Sequence, residues 1–538
     1  MQRLPVFLWL AYLSTGVLGK NFHQHNLQKR SRHVERRASV SSNDTSSFRY
    51  YSNSTERPFR HRRDVRWLIS IDNGSTDSLF FIFQPTIGEP VDEITIYLNG
   101  GPGWSSFESF FQEIGRFTWQ PGTMPRVDQP IGTGYSPGKP TATTLEQTST
   151  DFVNFFQNFE KTFGISDYKI YVTGESYAGR YIPYIASAML DKNDTTLFNV
   201  SGALLYDPCI GNWDFTQQEV PVVPFVRENN NVMGFNESFL SHLETLHESC
   251  GYADIISTYL TYPPPGNQPA VFFNSSSPSN SSCALWEALD HSAFAYNPCF
   301  DVYDVTAQCP LLWDVLGHRT QFDYIPEGTI PYPNRSDVKA ALHVPEDTNW
   351  YLDQHFNVYV ADDGSGGPEM AGETSLDPIQ YTLPRVIEAT NRVLVSNGDL
   401  DMIILTNGTL LAIQNMVWTP PPRHPLIQAK PSHVQPLPTA ASLLTPQNPQ
   451  TWNDNLGFQS APNQSLVIQT PDLEYEAVFA ASHQKGRDLQ PQGTVGQWHY
   501  ERGLMWVQSY QGTHTQPESQ PRAALEHLRW VLGRVDSF

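Results

Sequence analysis

The hexapeptide Gly174 to Gly179 (GESYAG) limits what this chain can fold into, because a strand-like run, KIYVTG, enters it and a helix-like run, RYIPYIASAML, leaves it. A serine on so tight a strand-to-helix turn is forced outward at the carboxyl end of a sheet, and small residues two positions to either side let the backbone close the turn. Ser176 is therefore a candidate nucleophile. The residue two beyond it is Ala178 instead of glycine, so the strict G-x-S-x-G pattern fails, and an ordinary turn is the competing reading of this motif alone.

A second motif supports the first. Asn99-Gly100-Gly101-Pro102-Gly103 follows the β-branched run Ile94 to Leu98, and a glycine-rich turn lets main-chain N–H groups face a ligand oxygen with no Cβ in the way. A phosphate loop is the rival, but no Gly-Lys-Ser/Thr follows and Pro102 removes one N–H. An oxyanion hole here would take one N–H from Gly101 and one from Tyr177, the residue after the nucleophile. In such hydrolases the acid and then the base follow the nucleophile along the chain. Downstream, RVLVSNGDLD puts Asp399 and Asp401 just past a strand, and GLMWVQSYQGTHTQP puts His514 just past another. His499 stands at the wrong end of that second strand, and His527 lies on a helical run, so His514 is the expected base.

The surrounding texture predicts an α/β fold. Strand-like runs at Ser78 to Phe83 and Ile94 to Leu98 precede a helix with Phe152, Val153, Phe155, Phe156, Phe159 and Phe163 at helical spacing, and the KIYVTG strand comes next. Strand, helix, strand at these lengths implies parallel βαβ units, so the expected core is a mostly parallel central sheet flanked by helices. Residues 67–215 form its first half, 216–340 an inserted helical cap or lid, and 341–538 its second half, with a Pro-rich surface excursion at 419–449.

Charge and the start of the chain limit the functional classes. With 34 Lys and Arg against 55 Asp and Glu, the net charge is -21, and the bases concentrate in 20–66, which leaves the remainder strongly acidic. Phosphate binding needs the opposite balance, so a nucleic-acid partner is not expected. Residues 1–19 carry a short basic start and the apolar run LPVFLWLAYLSTGV, which reads as a signal peptide. Residues 20–66, with dibasic pairs at Lys29-Arg30, Arg36-Arg37 and Arg62-Arg63, read as a basic leader or propeptide. Asn-x-Ser/Thr acceptors at Asn43, Asn53, Asn73, Asn193, Asn199, Asn236, Asn274, Asn280, Asn334, Asn407 and Asn463 imply N-linked glycans on a secreted or vacuolar product with no membrane span. Of the 5 cysteines, four crowd one region, and nested bridges Cys283 to Cys299 and Cys250 to Cys309 are the expected pairing of three possible ones, with Cys209 free.

With LNGGPGWSS (98–106), DQPIGTGYS (128–136), GESYAGRYIP (174–183), SNGDLDMI (396–403) and the GTHTQP block (512–517) in order, the chain resembles the serine carboxypeptidases, the carboxypeptidase Y-like α/β-hydrolase family, as a diverged fungal-type member. The resemblance implies a triad of Ser176, Asp401 and His514, with Asp401 chosen over Asp399 because the family uses the second Asp of its GDxD motif. It implies an oxyanion hole at Gly101 and Tyr177, and a site for the substrate's free carboxylate at Asn99, Gly100, Glu113 and Glu175. It implies peptide C-termini as substrate and no cofactor or metal.

Three departures keep other readings open. Trp104 stands where the family has a bridging Cys, Thr513 stands where it has Gly, and the segment from Phe117 to Val127 is short where the family has a strand. Loss of a strand beside the nucleophile strand would damage the sheet centre and favour a secreted pseudoenzyme. A carboxypeptidase-like acyltransferase or an esterase would keep the triad, but an esterase has no need for Glu113 and Glu175.

Overall fold

The structure is a computed structural model that describes residues 49–51, 63–72, 76–83, 91–114, 126–269, 283–309, 316, 330–353, 358–360, 373–416, 456–468 and 493–538. The expected signal peptide, most of the leader and the Pro-rich excursion lie outside the described residues. Among the described residues eleven strands form one sheet. In chain order they are β1 (Arg49–Tyr51), β2 (Arg63–Ser70), β3 (Ser78–Phe83), β4 (Glu93–Leu98), β5 (Arg126–Asp128), β6 (Lys169–Glu175), β7 (Asn199–Tyr206), β8 (Val393–Gly398), β9 (Gln464–Ile468), β10 (Gly493–Glu501) and β11 (Leu504–Ser509). Their spatial order is β1-β2-β3-β5-β4-β6-β7-β8-β11-β10-β9. The run from β5 to β11 is parallel, and antiparallel strands flank it on both sides. β2 spans the point expected to separate leader from core, so the sheet begins within the basic stretch.

Parallel strands are covered on both faces, and the sequence alternates accordingly. On one face Ile170 and Val172 of β6, Val393 and Val395 of β8, and Leu504 and Trp506 of β11 share a core with α1 (Leu145–Phe163) and α2 (Ala178–Asp191). The alternate residues Tyr171, Leu394, Met505 and Val507 pack on the other face with Trp530 and Val531 of the C-terminal helix. Helix α1 starts where Thr144 and Gln147 cap each other reciprocally and stops at Gly164, whose φ of 64° few other residues tolerate. Its buried Phe152, Phe155, Phe156 and Phe159 follow the spacing read from the sequence, and Phe159 meets Phe81 of β3 edge to face at 5.2 Å.

The strand thought to be lost is present in reduced form. β5 has three residues and touches β4 at one register position, Tyr97 with Arg126, while it pairs with β3 on its other side. Its neighbour is β4, so β6, the nucleophile strand, keeps six paired positions with β4 and a full ladder with β7. The sheet centre is therefore intact, contrary to the expected damage.

After β7 the chain leaves the sheet through a π-helical segment, Trp213–Glu219, and then forms α3 (Val222–Met233), α4 (Glu237–Ser249), α5 (Tyr252–Tyr259) and α6 (Leu285–Tyr296). These pack a core of their own around Val226, Leu243, Tyr252 and Leu289, joined to Met402, Leu405 and Leu411 of the second half. The disulfides differ from the nested expectation: Cys250 pairs with Cys283, and Cys299 with Cys309. Helix α6 explains the change, since its 12 residues rise about 18 Å and hold Cys283 out of reach of Cys299. The Tyr252 hydroxyl also donates to the Cys283 carbonyl at 2.8 Å, fixing that end beside the turn after α4. Cys209 is the free thiol and is buried. Trp104, in place of the family's bridging Cys, joins Asp353 in an isolated β-bridge; beside it the Ser105 N–H donates to the Leu352 carbonyl at 2.7 Å and the Trp350 indole N–H to Ser105 Oγ at 3.0 Å.

Non-reducing peptide mapping should recover the 250–283 and 299–309 pairs and one free thiol at Cys209. A Cys250→Ser/Cys283→Ser variant, which opens a loop of 33 residues, should lose about 3–4 kcal/mol in denaturant unfolding; recovery of a 283–299 peptide would refute the pairing.

Candidate active site

The carboxyl ends of the parallel strands converge on one edge, where the turns after β4, β6, β7, β8 and β11 meet. Ser176 follows β6 directly and holds φ of 60°, a left-handed conformation rare for a residue other than glycine. Main-chain bonds fix it there: its N–H donates to the Tyr206 carbonyl at 2.9 Å, and its carbonyl accepts from Gly179 at 2.8 Å and Cys209 at 3.0 Å. Strain of this kind persists only where surrounding structure over-determines it, and it projects the side chain off the sheet edge. Gly174 is obligatory for the same turn, because a Cβ there would lie 2.1 Å from the Leu98 carbonyl oxygen.

The structure brings the three triad candidates to this edge. Asp401 Oδ2 accepts from His514 Nδ1 at 2.8 Å, and Asp401 is further held by the N–H groups of Ile403 at 2.7 Å and Ile404 at 3.3 Å. Ser176 and His514 line the same cleft of about 370 Å³. Asp399 makes no such pairing, and His499 lies on β10, where it meets Glu501 at 3.2 Å. Burial lowers the pKa of His514 from its ordinary 6.5. The imidazole is thereby kept neutral further into the acid range than a solvated histidine.

The glycine-rich turn after β4 lies against the nucleophile. A Cβ on Gly100 would sit 2.5 Å from the Tyr177 nitrogen and 2.7 Å from Ser176 Cβ, so only glycine allows this approach. Gly101 holds φ of 102°, and Tyr177 sits at the cap of α2, where helix N–H groups lack intrahelical acceptors. Both N–H groups of the expected oxyanion hole thus belong to the two turns that meet at Ser176.

Asn99, Glu113 and Glu175 form a buried group beside Ser176, with Gly100 completing the cleft wall. Asn99 Nδ2 donates to Glu175 at 2.7 Å and to Glu108 at 3.2 Å, and the Ser109 hydroxyl donates to Asn99 Oδ1. The Tyr97 hydroxyl lies 3.2 Å from one oxygen of Glu113 and 3.2 Å from one of Glu175. A phenol has one proton to share between the two acids, too little to neutralise both, so the cluster favours a proton on a glutamate. Burial raises Glu113 to about 7, and burial together with the charge of Glu113 raises Glu175 well above the usual range. The pair keeps a proton through the acidic range and presents a neutral, donating face.

Tyr97, Tyr303 and Asp207 escaped the sequence reading. Tyr303 stacks obliquely on the His514 ring at 5.0 Å, and its carbonyl accepts from the His514 N–H at 2.9 Å. Asp207, after the apolar β7 run, places an oxygen within 4.8 Å of the Asp401 and His514 ligand atoms. These three groups are spaced as metal ligands could be, but the Asp207 and Asp401 oxygens already accept from main-chain and amide N–H donors that a cation would have to displace. Proton sharing fits the donor set better.

The comparisons with known proteins agree with this geometry. Residues 62–424 match the pattern of a peptidase family described as serine carboxypeptidase. The chain belongs to the serine carboxypeptidase family. It is 49% identical over 488 residues to the serine-type carboxypeptidase F of Aspergillus niger, covering 88% of this chain and 84% of that one. It is 34% identical over 499 residues to a probable serine carboxypeptidase of Arthroderma benhamiae, covering 87% and 82%. The crystal structure of a prohormone-processing carboxypeptidase, Kex1, from Saccharomyces cerevisiae aligns over 88% of this chain and 92% of that one with a TM-score of 0.58 and 19% identity, which establishes the shared α/β-hydrolase fold. Thr513, where the resemblance implied a glycine, lines the cleft, and its N–H donates to Ser519 Oγ at 2.9 Å.

Gly100→Ala should lower kcat/KM by about 1,000-fold or more, since the new methyl displaces the loop that carries an oxyanion donor. Steady-state hydrolysis of a blocked dipeptide measures this, and a loss below about tenfold would place the turn outside the reaction.

Proposed function

We propose that this serine carboxypeptidase releases single residues from the C-termini of peptides through an acyl-enzyme on Ser176. His514 takes the Ser176 hydroxyl proton as the oxygen attacks the last peptide carbonyl, and Asp401 holds the imidazole tautomer and stabilises the imidazolium. The N–H groups of Gly101 and Tyr177 receive the developing oxyanion. As the C–N bond breaks, His514 returns the proton to the leaving amino group. Water, deprotonated by the same histidine, then cleaves the ester and frees the serine.

The observation that carries the exopeptidase reading is the buried Glu113 and Glu175 pair with Asn99 and Gly100 beside the nucleophile. A carboxylate is normally bound by Arg or Lys, whereas a protonated carboxyl and an amide donate hydrogen bonds to it without a buried counter-charge. An esterase or acyltransferase acting on uncharged acyl donors gains nothing from such a pair. The apolar run at Leu4 to Val17 and the two disulfides support an oxidising secretory route, with secretion as the destination and the vacuole as the alternative. Among the described residues no helix is long and apolar enough to cross a membrane. Asn193, Asn236 and Asn463 are exposed and suited to N-linked glycans, whereas the Asn334 amide is engaged on both sides by Trp350.

Ser176→Ala should reduce release of the C-terminal residue by about four to six orders of magnitude while the melting temperature moves by no more than about 2 °C. Product analysis by mass spectrometry reads both rate and position of cleavage, and internal cleavage by the wild type would refute the exopeptidase assignment.

The pH dependence follows from the sign of each shift. Glu113, raised to about 7, is neutral below that pH and anionic above it. Peptide KM should therefore be flat in the acid range and climb up to about tenfold per pH unit above neutrality, as the anionic pair repels the substrate carboxylate. An ester substrate without a free carboxylate should show no climb, and Glu113→Gln should flatten it for peptides. A climb of equal size for the ester would detach it from this pair.

A further inference from the structure

Asp207 is fully buried at the end of β7 and belongs to none of the roles assigned above. It holds φ of 38°, left-handed for a residue that also precedes a proline, a position where the backbone is already restricted. Its side chain binds the two loops that carry the acid and the base. One oxygen accepts from the Gly398 N–H at 2.8 Å, three residues before Asp401, and the other accepts from Gln516 Nε2 at 2.6 Å, two residues after His514. Gln516 is oriented in turn by the Ser396 hydroxyl, which donates to its Oε1 at 2.7 Å. A carboxylate oxygen of Asp207 also lies within 4.8 Å of the facing side-chain atoms of Asp401 and His514.

We propose that Asp207 is a positioning residue for the reaction assigned above, holding Asp401 and His514 in register by donating a carboxyl hydrogen bond to the Asp401 carboxylate. The inference rests on the assignment of Asp401 and His514 as acid and base. Two carboxylates this close cannot both ionise cheaply, so one of them keeps a proton. The local donors decide which. Each acid accepts two N–H bonds, but Asp401 alone also accepts from His514 Nδ1, and that third donor favours its anion. Burial and then the charge of Asp401 hold Asp207 protonated. The titratable groups facing Asp207 are Asp401 and His514 from the loops and Tyr206 on its own strand, while Gln516 and Asn397 are neutral. A protonated Asp207 adds no charge beside the imidazole; it acts by direction, fixing the Asp401 oxygen that His514 Nδ1 meets.

The test compares wild type, Asp207→Asn, Asp207→Ala and Ser176→Ala on a blocked dipeptide from pH 3.5 to 7.5, with melting temperatures recorded alongside. Asn is isosteric and can still donate to Asp401, at the cost of one of the two N–H bonds that Asp207 accepts. Asp207→Ala should lose about 100-fold in kcat with KM within about twofold, since misplacing a base by a fraction of an ångström is costly and the carboxylate site lies elsewhere. Asp207→Asn should recover to within about three- to tenfold of wild type, with the acid limb of kcat/KM displaced by less than about 0.3 pH unit. If Asp207 is anionic in the enzyme, removing its charge will drop the acid limb by about one unit or more, and the proposal is overturned. A wild-type kcat in Asp207→Ala, or a loss in Asp207→Asn as deep as in Asp207→Ala, overturns it equally. Should Asp207→Ala fail to fold, the acid limb and kcat of Asp207→Asn decide the question alone. Activity surviving in Ser176→Ala would instead sink the underlying reading, whatever the Asp207 variants do.

Discussion

The left-handed turn at Ser176 exists because three main-chain hydrogen bonds from β7 and its following turn, and from α2, leave it no other conformation. The candidate site is laid out from that point. The parallel ladder between β4 and β6 sets Leu98 opposite Gly174, so the glycine turn after β4 comes up against the serine. The ladder between β8 and β11 sets Gly398 opposite Ser509, so the acid and base loops emerge side by side. A register slip of one residue in either pair would turn alternate side chains to the wrong face and separate these turns.

Within this frame the site handles charge by hiding protons. Glu113 with Glu175, and Asp207 with Asp401, are two buried acid pairs on either side of the nucleophile strand's end. Neither pair has a basic side chain beside it in the hydrogen bonds that define it, apart from His514 on Asp401. An Arg or Lys in either place would bind anions across the whole pH range; a carboxyl does so only while protonated. In a strongly acidic protein with a net charge of -21, both buried pairs limit their charge by retaining protons.

Ser176, the glycine turn, Asp401 and His514 were legible because each sits in a short motif at the end of an apolar strand, where local sequence alone fixes the backbone. The central strands and α1 were legible through their periodicity. Asp207 was not, since a lone acid after a strand acquires meaning only when the Gly398 and Gln516 loops, some 190 and 309 positions further along, close on it. Tyr97 was read as one more aromatic of a β-run, and the alternation that turns it toward the two glutamates depends on which face they occupy. The disulfides were misread because proximity in sequence ignored the length of α6 between Cys283 and Cys299. The short segment before β5 was expected to injure the sheet centre, but strand order in space placed β4 between it and β6.

The loop that follows the inserted helices reaches the Asp401 and His514 turns through three backbone bonds. Met402 N–H donates to the Val302 carbonyl at 2.8 Å, Val305 N–H to the Leu400 carbonyl at 3.2 Å, and His514 N–H to the Tyr303 carbonyl at 2.9 Å. Asp301, Tyr303, Asp304, Ala307 and Gln308 of the same stretch line the cleft with their own atoms. These three anchors are peptide groups and survive a change of side chain, whereas the Tyr303 ring on His514 and the Trp286 indole N–H that donates to the Met402 carbonyl at 2.8 Å do not. Eight residues of one loop, 301–308, thus both line the cleft and brace the Asp401 and His514 loops, so a change at Tyr303 touches the two together.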